Sequence, residues 1–130
     1  MRAHKFLVVL FCFIAATIGF LVKLPSAFHD HDKLLHAAFY FCAAAFFHFL
    51  FRKGLIIILI ILALFGVLIE YLQELSNKLL HRHIHGRFDI DDVYANCKGL
   101  IAYALLALLF FAARAVTRSF TRDQQTDSSP

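Results

Sequence analysis

The sequence predicts an all-α fold: a bundle of four transmembrane helices with both termini in the cytoplasm. Three observations carry this expectation. The 130-residue chain is 61% hydrophobic and 17% charged, where a soluble domain is about 45–50% apolar and about 25% charged. Its apolar residues gather into four long runs. Basic residues favour one set of run ends over the other, and that bias orients helices in a membrane.

A chain this short leaves much of its surface exposed, so a soluble globule cannot hide so many apolar side chains. The composition, with a mean hydropathy of +0.71, excludes an ordinary cytosolic enzyme, a disordered tail and a secreted disulfide scaffold. The lipid bilayer becomes the expected partner. The net charge of +4 does not signal nucleic-acid binding, because the bases sit in short groups between apolar runs and not on one soluble face. Cys12, Cys42 and Cys97 are odd in number and show no CxxC spacing, so they read as small packing residues. Strand alternation is absent, and helices satisfy their own backbone groups in lipid.

The first helix is expected over residues 5–24. Its apolar run, Phe6 to Val22, is bracketed by Arg2, Lys5 and Lys23. A signal peptide has a similar start, but its apolar region is about 7–15 residues long. This run is longer, and Leu24-Pro25-Ser26-Ala27 is a poor cleavage site. The second helix, 33–51, is uncharged beyond Lys33 but carries His36, Tyr40 and His48. Arg52-Lys53-Gly54 turns the chain tightly into the third helix, 54–76, which continues past its apolar run through Glu70, Gln73 and Glu74. The fourth, 92–114, includes Asn96 and Lys98. Residues 1–115 then form one membrane domain, and 116–130 a polar, flexible tail. Crossing about 30 Å of hydrocarbon takes roughly 20 residues. Runs two to four reach that length only with their polar ends included, which places those polar residues inside helices near one membrane boundary.

One side of the membrane receives Arg2, Lys5, Arg52, Lys53, Arg114, Arg118 and Arg122; the other receives Lys23, Lys33, Lys78, Arg82 and Arg87. The excess marks the first side as cytoplasmic. Nearly all the acids fall on the opposite side, as do His29, His31, His36, His81, His83 and His85. The chemically capable residues therefore collect at the outward face.

Each of three helices carries a polar stripe there. Lys33, His36 and Tyr40 are spaced i, i+3, i+7, as are Glu70, Gln73 and Asn77; Asp92, Asn96, Gly99 and Tyr103 follow on the fourth helix. Such spacings share a helix face. Ionisable groups are costly against lipid and turn towards one another or towards water. Packed together, the stripes predict a polar pocket open to the outer surface. In it Lys33 and Arg87 neutralise Glu70 and Asp92, Gln73 and Asn96 meet the remaining hydrogen bonds, and Gly99 permits close helix approach. The alternative is that these residues only snorkel or join helices. His48, near the inner end of helix two, is expected to bond a neighbouring helix.

Asp32-Lys33-Leu34-Leu35-His36, then Glu70-Tyr71-Leu72-Gln73, then Arg87-Phe88-Asp89-Ile90-Asp91-Asp92 with Asn96 and Gly99, resembles the VanZ-like family of bacterial membrane proteins. The ordered set spans residues 32 to 99. The resemblance implies a multipass protein of the bacterial cytoplasmic membrane, with Lys33, His36, Glu70, Gln73, Arg87, Asp92 and Asn96 as characteristic positions. It also implies a link to the cell envelope and to resistance to the glycopeptide teicoplanin, with no established mechanism. The histidine-rich loop, Asp91 and Lys98 depart from the plain pattern.

His81-x-His83-x-His85 places imidazoles on one side of an extended segment, and imidazole with carboxylate suits Zn, Cu or Ni. No HExxH or CxxC accompanies it. These histidines are weak metal candidates, no metal site is assigned, and no cofactor is named.

Three functions remain open. The first is binding of an anionic lipid or envelope-precursor headgroup, with Arg87 as a bidentate clamp, Lys33 as a point charge, and Gln73 and Asn96 reading hydroxyls or amides. The second is an enzyme acting on a lipid-linked headgroup, with Glu70 as general base and Asp92 or His36 as acid or orienting partner. The third is a histidine-rich metal-binding or transport protein. A purely structural accessory role and a homo-oligomer are both compatible with so small a bundle.

Overall fold

A computed structural model describes residues 3–21, 31–52, 54–80 and 88–127. These residues form α1 (Ala3–Leu21), α2 (Asp32–Phe51), α3 (Leu55–Leu80) and α4 (Ile90–Asp127), with no strand among them. All four helices are long and apolar enough to cross a membrane. The described residues have the architecture of an all-helical, multipass membrane protein.

Helix starts fall within two residues of the sequence expectation, but two helices run past their expected ends. α3 continues to Leu80, one turn beyond 76, and α4 continues to Asp127, well beyond 114. The expected end at 114 followed the loss of apolar character, but helix hydrogen bonding is local and does not require it. In the polar extension the hydroxyls fold back onto the helix: Thr117 Oγ1 donates to the Ala113 carbonyl at 3.0 Å, and Thr121 Oγ1 to the Thr117 carbonyl at 2.9 Å. At 1.5 Å per residue α4 is about 57 Å long, nearly twice the hydrocarbon thickness.

The buried positions repeat with helical period. α2 contributes His36, Tyr40, Ala44 and Phe47; α3 contributes Ile58, Leu62, Phe65 and Ile69; α4 contributes Asp92, Asn96, Leu100 and Ala107. The opposite faces expose large aliphatic side chains such as Ile56, Ile57, Ile60 and Leu64. A contiguous apolar face of that size is a liability in water and costs nothing against lipid tails.

α2 and α4 make the closest pairing, and Gly99 is the reason. A Cβ on Gly99 would stand 2.1 Å from the carbonyl oxygen of Ala37. Only a hydrogen at that position lets the two backbones meet, the small-residue packing that membrane helices use in place of a hydrophobic driving force. Below this contact, His48 Nδ1 and the Tyr103 hydroxyl share a 2.7 Å hydrogen bond between the same two helices, the interhelical bond expected of His48.

α1 is attached differently. Phe13 packs edge-on to Phe65 and stacks with Phe47, and Phe20 lies against His36, Phe39 and Tyr40. The Lys5 ammonium donates to the Leu50 carbonyl at 2.7 Å, satisfying an acceptor in the last turn of α2. Arg52 caps the end of α2 in the left-handed region at φ 55°, its N–H donating to the His48 carbonyl at 2.7 Å. That αL cap starts the turn into α3.

Candidate functional site

Three helices deliver polar side chains to one buried cluster. α2 supplies Asp32, His36 and Tyr40, one turn apart on a single face. α3 supplies Glu70. α4 supplies Asp92 and Asn96, again one turn apart. Glu70 is 1% exposed, Asn96 2%, His36 5% and Asp92 9%, while Tyr40 is fully buried. Charged residues are almost never buried to this degree without a partner, so the cluster is the chemically distinctive part of the chain.

Its geometry begins at the N-terminus of α4. Asp89 caps the helix, its Oδ1 accepting the Asp91 N–H at 2.8 Å and its carbonyl the Asp92 N–H at 3.2 Å. Asp91 and Asp92 then occupy the first turn, where the helix dipole favours negative charge. The Asp89 N–H donates to Glu70 Oε2 at 3.4 Å, which ties α3 to the start of α4. His36 Nδ1 lies 2.9 Å from Asn96 Oδ1. A carbonyl oxygen can only accept, so Nδ1 carries the proton, and Nε2 faces Asp32 Oδ1 at 3.8 Å. Asp32, His36 and Asp92 each place one oxygen or nitrogen within 4.8 Å of the other two.

Three atoms of the cluster are buried without a hydrogen-bond partner among the described residues: Tyr40 Oη, Glu70 Oε1 and Asn96 Nδ2. Gly66, one turn before Glu70, makes room for two of them. A Cβ there would meet Asn96 Nδ2 at 3.0 Å and Tyr40 Oη at 3.1 Å.

No family model matches this chain, and neither does any curated protein or solved structure.

The structure brings together His36, Glu70, Asp92 and Asn96 as the stripes predict, but it corrects two assigned partnerships. Lys33 makes no direct ion pair with Glu70 or Asp92 among the described residues, although its charge still acts on Asp92. Its ammonium pairs with Asp91 Oδ2 at 2.6 Å, both side chains well exposed, because the long stem carries the charge out to solvent from the first turn of α2. Gln73 does not meet the cluster's remaining hydrogen bonds as expected. Its Nε2 donates to the Phe20 carbonyl at 2.9 Å, and Phe20 sits in the last turn of α1, where carbonyls lack helical partners. Arg87, His81, His83 and His85 lie outside the described residues, as does His29.

Asp32 is the residue that sequence reasoning passed over, although it opens the Asp-Lys-x-x-His motif. Its spacing to His36, i, i+4, was the available signal, since such residues lie one above the other on a helix.

A cavity of about 660 Å³ adjoins the cluster. Its walls are apolar, from Phe11 and Ala16 on α1, Phe39 and Ala43 on α2, and Leu62 and Phe65 on α3, and it reaches Asp32 and His36 at its polar end. Phe11 is largely exposed, and Cys42 and Phe46 are exposed along the same cavity. It is therefore a groove open along the lipid-facing side of the bundle, and its volume falls within the range of small-molecule sites.

Proposed function

We propose that this chain is a multipass protein of the bacterial cytoplasmic membrane, of the VanZ-like type, that holds an amphipathic lipid. The hydrocarbon chain lies in the groove between α1 and α2, and an anionic headgroup, that of a phospholipid or a lipid-linked envelope precursor, lies at the polar end. Both termini are cytoplasmic and the cluster faces outward, in keeping with the distribution of basic residues. One observation carries this reading: Asp32 and His36 belong both to the buried cluster and to the lining of the groove. A ligand filling that groove has its tail among Phe and Ala side chains and its head beside the cluster. Lys33 at the rim and Arg87, two residues before Asp89 in sequence, supply positive charge for the headgroup. A role in envelope integrity or glycopeptide resistance follows from the family resemblance.

Native mass spectrometry of protein extracted in mild detergent tests the reading. The wild type is expected to retain a phosphate-bearing lipid, and Ala43→Phe, which fills the groove, to lose it while inserting normally. A wild type that carries no lipid, or an Ala43→Phe protein that carries as much, ends the proposal.

One observation favours catalysis on the same ligand. Glu70 Oε1 is buried beside His36 and Asp92 without a hydrogen-bond partner among the described residues, as befits a base awaiting a substrate proton. Asp92 or His36 then acts as acid or orienting partner. Under this reading Glu70→Gln retains lipid and forms no product from it, whereas the wild type does.

A further inference from the structure

We propose that Asp32, His36 and Asp92 form a binding site for a divalent metal ion. The donors are one imidazole and two carboxylates, a set that suits Zn²⁺, Mn²⁺ or Fe²⁺. Their ligand atoms lie within 4.8 Å of one another, and His36 Nε2 and Asp32 Oδ1 are 3.8 Å apart. Two donors at about 2.1 Å from one ion stand about 3–4 Å apart, so small carboxylate rotations close the set.

The imidazole is prepared for the task. Its Nδ1 proton is given to Asn96 Oδ1 at 2.9 Å, which leaves the lone pair on Nε2, the atom facing Asp32. Metal-ligating histidines are held in this way, the second ring nitrogen donating to an oxygen that fixes tautomer and orientation. Phe20 packs on the ring with centroids 4.9 Å apart and restrains it further.

The surroundings call for a cation. Glu70 lies among the same charges, with His36 and Asp92 as neighbours, and its Oε1 is buried with no hydrogen-bond partner among the described residues. The Asp89 carboxylate adds further negative charge that acts on Glu70. Lys33 is engaged with Asp91 on the exposed rim. Buried carboxylates this close are costly in a low dielectric unless a positive charge joins them. Three protein donors also leave at least one coordination position open. Asp32, whose side chain is 36% exposed, and His36 border the groove, so that position adjoins it.

The site stands on these side chains whatever occupies the groove, and none of its three donors is a histidine of the 81–85 segment. The test uses full-length, tag-free protein in detergent, stripped with chelator and titrated with Mn²⁺ and with Zn²⁺. The readouts are metal content after desalting and the Mn²⁺ electron paramagnetic resonance signal. About one ion per chain is expected. Asp32→Asn, at the solvent edge and so the variant least prone to misfold, and His36→Ala each lose retention after desalting, with helicity by circular dichroism unchanged. Asn96→Ala weakens binding by about 10–100-fold. The triple change of His81, His83 and His85 to Ala, and the groove-filling Ala43→Phe, leave binding intact. Absence of retained metal in the wild type overturns the site, as does full retention in Asp32→Asn and His36→Ala, or loss confined to the loop triple.

Discussion

His36 on α2 and Asn96 on α4 meet through a 2.9 Å hydrogen bond between two side chains that are each almost fully buried. They are 60 positions apart in sequence, and their meeting sets the register of the two helices at the level of the polar cluster. Asn96→Ala removes the acceptor and leaves the His36 N–H unpaired. The expected cost is about 1–2 kcal/mol, since interhelical hydrogen bonds in membranes contribute roughly 1 kcal/mol and a buried unpaired donor adds to the loss. Reversible unfolding in mixed micelles measures it, and a stability equal to the wild type would show that the bond does not hold the helices.

Gly99 is predicted to be the least replaceable glycine in the described helices. Its α-hydrogen faces the Ala37 carbonyl, and a methyl there would sit 2.1 Å from that oxygen. The obstacle is backbone, so no rotamer change relieves it and α2 must move away from α4. Overpacking of this kind costs about 1–3 kcal/mol and occasionally more. Gly19 is the internal control, with nothing within 4 Å of its missing Cβ. There alanine gains roughly 1 kcal/mol of helix propensity and loses no contact. Melting curves of Gly99→Ala and Gly19→Ala should therefore move in opposite directions.

The His48–Tyr103 pair offers a second measure of the α2–α4 interface, at the opposite end from the cluster. The 2.7 Å bond is partly buried and backed by edge-on ring packing. A double-mutant cycle with His48→Phe and Tyr103→Phe is expected to give a coupling energy of about 1 kcal/mol. Simple additivity of the two substitutions would assign the contact to packing alone.

The fold was legible because the apolar runs have the length a bilayer demands, and that constraint acts on every residue of a run. The cluster was legible in part for a similar reason. His36 with Tyr40, and Asp92 with Asn96, are separated by one helical turn, and such spacing fixes a face whatever surrounds the helix. Lys33 and Gln73 were misplaced because they sit three residues from His36 and Glu70, displaced by about 60° around the helix axis, and long side chains amplify that rotation. Lys33 follows it to solvent and Gln73 follows it to the end of α1. A sequence pattern records which residues share a helix face, but the neighbour towards which a long side chain swings depends on tertiary packing. The extent of α4 beyond 114 was hidden for another reason. Apolar content marks where lipid ends, and a helix with its own backbone bonds and back-bonding Thr117 and Thr121 passes through that boundary.

Gln73 acquires a specific role from its observed position. It donates from α3 to the Phe20 carbonyl at 2.9 Å, one residue from the end of α1 at Leu21. α1 has no buried residue of its own and is held mainly by Phe13, Phe20 and two side chain–carbonyl bonds, this one and Lys5 to Leu50. Gln73→Leu keeps the apolar bulk of the side chain and deletes one of those bonds at the end of α1 nearest the cluster. Local opening free energies are lowest where buried contacts are few, so the effect should concentrate in α1. Hydrogen exchange followed by mass spectrometry is expected to show faster exchange over residues 17–21, with α2 and α4 unchanged around His36 and Asn96. Uniform acceleration across all four helices would instead mean that Gln73 supports the bundle as a whole, and α1 would then not be an independently mobile wall of the groove.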